Sequence, residues 1–151
     1  MTITESELLA KVPTNLYIDG KWVQGNGAPI EVEDPATGKV LVEISNADAS
    51  DALAALSAAD KAQAAWAKTA PRERAEILRR TFDLVRARSE EFAMLISLEM
   101  GKPLADAVGE IEFSGMIYDY YAENAERLLA DQPIAMADGE GTAVIRPSSV
   151  G

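Results

Sequence analysis

The sequence predicts a mixed α/β chain, with paired strands at the start, helices through the middle and strands again at the end. Three observations carry this. Between residues 16 and 44, apolar and polar side chains alternate around turn-forming segments, which is the period of half-buried strands. From residue 48 to residue 129 the apolar spacing changes to steps of three and four, the period of amphipathic helices. Beyond Asp131 the β pattern returns, in residues 133–136 and 142–146.

Residues 1–14 read as a flexible N-terminal arm, with Pro13 near its end. Leu16-Tyr17-Ile18 and Lys21-Trp22-Val23 flank Asp19-Gly20, a dipeptide that favours the positive φ angles of a two-residue hairpin turn, so the two runs should pair antiparallel. A second hairpin follows: Ile30 and Val32 alternate with glutamates, Val40, Val42 and Ile44 form the return strand, and Asp34-Pro35-Ala36-Thr37-Gly38-Lys39 makes the turn. Asp48 is a plausible helix N-cap with Asp51 near the positive end of the dipole, opening an alanine-rich helix to about Lys68. Leu53, Leu56, Ala59 and Trp66 give that helix a thin stripe suited to close packing. Pro71 opens the next helix, with Leu78, Phe82 and Val85 on one face. Ser89-Glu90-Glu91 restarts it, and Phe92, Leu95 and Ile96 carry the apolar face to Gly101. At Gly101-Lys102-Pro103 one helix should end on a left-handed glycine and another begin with proline in its first position. The last helix shows a sustained seam of Leu104, Val108, Ile111, Gly115, Tyr118, Ala122, Ala125 and Leu129, in which Gly115 implies a tight backbone contact. Asp138-Gly139-Glu140-Gly141 then separates the two terminal strands.

Composition narrows the function classes. At 151 residues with 48% hydrophobic side chains, the chain can bury one globular core and is not compositionally disordered. Fourteen basic against 25 acidic residues give a formal charge of -11. That charge repels phosphate backbones and anionic membranes, so nucleic acid is excluded as a partner. No apolar run reaches the ~20 residues needed to cross a bilayer, and the start lacks the basic head and apolar core of a secretory signal; a cytoplasmic location is expected. Cys 0 removes disulfides and any cysteine nucleophile from these residues, and His 0 removes the commonest acid/base group.

The motif search is otherwise negative. There is no Gly-x-Gly-x-x-Gly after a strand, no Gly-Lys-Ser/Thr phosphate loop and no EF-hand calcium loop. Glu90-Glu91, Glu110 with Glu112, and Glu123 with Glu126 read as solvated helix faces. Tyr118, Tyr120 and Tyr121 read as core and rim packing in preference to a ligand stack.

Five landmarks in fixed order resemble the N-terminal portion of the NAD(P)-dependent aldehyde dehydrogenase superfamily over roughly residues 15–151. They are the Asp34-Pro35-Ala36-Thr37-Gly38 turn, Ala65-Trp66, the Pro71, Arg74, Ala75, Leu78 helix, Leu98-Glu99-Met100-Gly101-Lys102-Pro103, and Tyr120-Tyr121-Ala122-Glu123. Within the superfamily, residues 98–102, 120–126 and 129–131 look most like the bacterial succinate-semialdehyde dehydrogenase branch. The resemblance implies a partial dinucleotide-binding domain of hairpins and helices over residues 15–131 and the first strands of an oligomerisation arm over residues 132–151. It further implies oxidation of an aldehyde to its carboxylate with NAD or NADP: a cysteine thiolate attacks, an asparagine and a backbone N–H hold the oxyanion, and a glutamate activates water. None of those catalytic residues falls in this portion, so the chain reads as a segment that should not turn over aldehyde alone. Its partners would be the remainder of the polypeptide or the subunits of a homo-oligomer.

Two lesser sites are implied by the same resemblance. Glu99, with the backbone carbonyls of Val32 and Glu33, matches a monovalent-cation site; alternatively Glu99 only accepts backbone N–H bonds. Phe113 and Ile117 match the helix lining one wall of the substrate tunnel; alternatively they are core residues. Arg74 matches the family's helix arginine, for which the resemblance implies a structural salt bridge in preference to catalysis. The competing reading is an acidic α+β interaction module, or a remnant, with no enzymatic role.

Overall fold

The computed structural model describes residues 3–137 and 139–148. The expected loose arm contains a helical turn, α1 (Glu5–Leu9), because Thr4 and Glu7 close a capping box: the Glu7 amide donates to Thr4 Oγ1 at 3.3 Å and the Thr4 amide donates to Glu7 Oε2 at 2.9 Å. Leu8 is 1% exposed and anchors the turn against the body. The Ser45 amide donates to the Thr14 carbonyl at 2.8 Å and ties the chain after this turn to the second hairpin.

Strands β1 (Leu16–Ile18) and β2 (Lys21–Val23) pair antiparallel around Asp19 (φ 52°) and Gly20 (φ 74°). Both central residues are left-handed, the geometry that matches strand twist in a two-residue turn. Strands β3 (Gly27–Asp34) and β4 (Lys39–Asn46) place Ile30 opposite Ile44 and Val32 opposite Val42, with a register shift after Val32. Their turn is held by Asp34, whose carboxylate accepts the Ala36 amide at 2.8 Å and the Thr37 hydroxyl at 2.7 Å.

Helix α2 (Ala49–Trp66) begins as read: Asp48 accepts the Ser50 and Asp51 amides, and Asp51 returns a bond from the Asp48 amide at 3.0 Å. The expected packing stripe faces outward, with Leu53 and Leu56 each 66% exposed. The cause is orientation. Asp51 is drawn inward, and Leu53, two residues on at about 100° per residue, lands on the far side. Periodicity shows which residues share a face but leaves open which face turns inward.

Helices α3 (Pro71–Ala87), α4 (Ser89–Met100) and α5 (Leu104–Leu128) form the helical layer, α3 and α4 both packing on α5. Ala75, Ala122 and Ala125 make a contact with Leu78 packed against it, and Ala93, Ala107 and Ile111 continue the core. Small side chains let the helices approach closely. The predicted seam of α5 is buried in its middle, but its ends, Leu104 and Leu129, are 53% and 41% exposed. Gly115 meets a side chain where a backbone was expected: an added Cβ would stand 1.9 Å from Phe82 Cζ. Tyr118 stacks on the same ring at 6.4 Å between centroids.

The helix junction at Gly101 forms as read, with φ 72° and its amide donating to the Ser97 carbonyl at 2.9 Å. Pro103 is the N-cap of α5, one position earlier than expected, and its carbonyl accepts the Asp106 and Ala107 amides at 3.0 Å each. Strands β5 (Gln132–Ala135) and β6 (Thr142–Ile145) pair antiparallel and are exposed throughout, closed at their base by Arg146 on Asp131 at 2.6–3.1 Å. Asp138 of the intervening turn, and residues 149–151, lie outside the described residues.

Candidate functional site

Two of the recognisable sequence motifs meet in space. An added Cβ on Gly101 would lie 3.1 Å from Pro35 Cγ, so the junction between α4 and α5 abuts the turn between β3 and β4. Lys102 forms an ion pair with Glu110 and braces the junction onto the first turns of α5. Behind this contact lies a cavity of about 180 Å³ walled by Leu9, Val12, Val32, Ile44, Leu98 and Glu99 among others. Val32 and Glu99 therefore share one wall. Glu33 is exposed and is not part of the lining. Among the described residues no backbone N–H donates to the Glu99 carboxylate. The cavity lining is largely aliphatic, and among the described residues no cluster of three acidic, histidine or cysteine side chains is placed to hold a metal. Any cation there would rest on carbonyl oxygens and a single carboxylate, a donor set of hard oxygen ligands.

The second region is the outer face of α5. Ile111, Gly115 and Ala122 face the core, which turns Phe113, Met116, Ile117 and Tyr120 to the opposite side. Phe113 is 59% and Ile117 46% exposed, so neither packs into the core formed by these residues. Together these four side chains form an apolar strip along one face of a helix whose other face is fixed by Phe82. Tyr121 lies edge-on to Tyr120 at 5.3 Å, whereas Tyr118 belongs to the core.

Arg74 departs from the expected salt bridge. Its guanidinium donates to the carbonyls of Thr69 (3.0 Å), Trp66 (2.9 Å) and Ala67 (3.3 Å) and lies 5.2 Å from the Trp66 ring centroid. The last turn of α2 carries no basic residue of its own, so a cation from α3 satisfies the orphan carbonyls there. Of the glutamates read as solvated faces, Glu90, Glu110, Glu112, Glu123 and Glu126 are exposed, the last two bordering an open polar cleft with Arg72 and Arg79, whereas Glu91 is half-buried and pairs with Arg88 at 2.8 Å.

Charge at the element ends follows local donors. The Ser50 hydroxyl, then the Asp51 amide, hold the Asp48 carboxyl below its ordinary value. The Thr37 hydroxyl and Ala36 amide do the same for Asp34, and Arg146 does so for Asp131. One polar cluster had only half its signal in the sequence. Asp51 is 9% exposed and accepts both the backbone amide (2.8 Å) and the side-chain amide (2.7 Å) of Asn26. The Asp48-x-x-Asp51 spacing marks the cap, but nothing local announces Asn26.

Comparison with known proteins gives the family of the chain. The profile of the aldehyde dehydrogenase family matches residues 22–151. The NADP⁺-dependent succinate-semialdehyde dehydrogenase of Escherichia coli strain K12 is 36% identical over 99% of this chain and 31% of its own length. The glutarate-semialdehyde dehydrogenase of Pseudomonas aeruginosa is 40% identical over 76% of this chain and 24% of its own. Among solved structures, succinate-semialdehyde dehydrogenase from Burkholderia pseudomallei superposes with a TM-score of 0.75 at 40% identity, covering 81% of this chain and 25% of that one. The chain thus spans between a fifth and a third of the length of the curated relatives it first matches. Its hairpins and helical layer match the N-terminal part of their fold, and the chain belongs to the aldehyde dehydrogenase family.

Proposed function

We propose that this chain is the N-terminal scaffold of an NAD(P)⁺-dependent aldehyde dehydrogenase that oxidises a short aldehyde bearing a distal carboxylate, succinic semialdehyde first among them. The observation that carries the reading is the family match, joined to relatives whose substrates share that chemistry. The nicotinamide cofactor would accept hydride from the aldehyde carbon. This chain's residues serve a different end: with Cys 0 they hold no thiolate, so the nucleophile comes from polypeptide outside these 151 residues. The exposed strip of Phe113 and Ile117 would form one apolar wall of the substrate channel, in contact with the methylene carbons between aldehyde and carboxylate. The Glu99 carboxylate, with the carbonyls of Val32 and Glu33, would hold a monovalent cation beside the Gly101–Pro35 contact. The exposed β5–β6 hairpin would serve as an oligomerisation arm.

Each part has its own test. The purified 151-residue chain, mixed with succinic semialdehyde and NAD⁺ or NADP⁺, is expected to form no reduced nicotinamide; turnover would sink the scaffold reading. In a complete enzyme containing these residues, Phe113→Ala should raise KM for succinic semialdehyde several-fold with the melting temperature unchanged. An unchanged KM removes the channel assignment. Potassium should raise the melting temperature of the parent and not of Glu99→Gln, and an equal response in both removes the cation.

A further inference from the structure

We draw no further inference here: the strongest candidate, the apolar groove of about 470 Å³ between the end of α2, α3 and the C-terminal half of α5, lined by Trp66, Ile77, Leu78, Tyr121, Leu128 and Leu129 among others, carries none because nothing in the structure shows what covers it.

Discussion

An added methyl group at Gly115 would collide with the Phe82 ring, whereas one at Gly109, earlier on the same helix, would meet nothing within 4 Å. The two glycines should therefore answer the same substitution with opposite signs. Gly109→Ala removes backbone freedom from the unfolded chain at no steric cost and should stabilise by about 1 kcal/mol, raising the melting temperature by roughly 2–4 °C. Gly115→Ala must displace a buried aromatic ring and should destabilise by about 1–3 kcal/mol in urea unfolding. Asp51→Ala leaves the two Asn26 donors and the Asp48 amide without their acceptor and should cost about 2 kcal/mol, whereas Asn26→Ala removes one donor and should cost less. Acid sensitivity belongs to the same scale. The folded-state pKa of Asp48 is depressed, so its contribution is present above the unfolded value and lost as pH falls through the folded one. Melting curves taken from about pH 5 down to about pH 2 should fall less steeply for Asp48→Asn, which keeps an acceptor and removes the charge, than for the parent.

At the level of elements, α2 is held at both ends by residues it does not own: Asn26 binds Asp51 near its start, and Arg74 caps its last carbonyls. Arg74→Ala should cost about 1–2 kcal/mol and speed hydrogen exchange at Ala67, Lys68 and Thr69, whose amides close the final turn. Trp66 fluorescence should change with it, since the cation above the ring is lost. Unchanged exchange at those three amides would mean that the guanidinium contacts do not hold the turn. Most of these elements were legible in the sequence, because their signals are local. Asp19-Gly20 dictates its hairpin, Asp48 its cap and Gly101 its stop, each through backbone geometry that a few residues determine. The Thr4-x-x-Glu7 box of α1 is equally local, but it caps only five residues, too few for an apolar period to mark a helix. The parts that were not legible depend on what lies across from a residue: Phe82 against Gly115, Arg74 turned toward α2 carbonyls, and the outward face of Leu53 and Leu56.

For the whole molecule, the balance of apolar surface is unusual. Among the described residues the buried apolar side chains larger than alanine are Leu8, Phe82 and Ile111, while 22 large hydrophobic side chains stand exposed. Ordinary solubility patterning scatters such residues, but here more than half of them gather on the outer face of α5, the groove beside Trp66 and the β5–β6 hairpin. The 151-residue chain on its own should bind a hydrophobic dye and show an apparent mass that rises with concentration in light scattering. A single monomeric mass across a hundredfold dilution series would contradict this. The candidate site divides along the same line. Its family landmarks were readable because they are short and ordered, whereas the exposure of Glu33, Phe113 and Ile117 turned on placement that spacing does not encode.

The Gly101–Pro35 contact has a consequence for cooperativity. It joins the tip of one hairpin to the corner between two helices, segments far apart in the chain, through a glycine that has no side chain to yield. Loosening the hairpin would remove the proline ring that packs against the helical corner. The two should open and close together, so their slowest-exchanging amides should share one opening free energy, as a single foldon assembled from distant sequence.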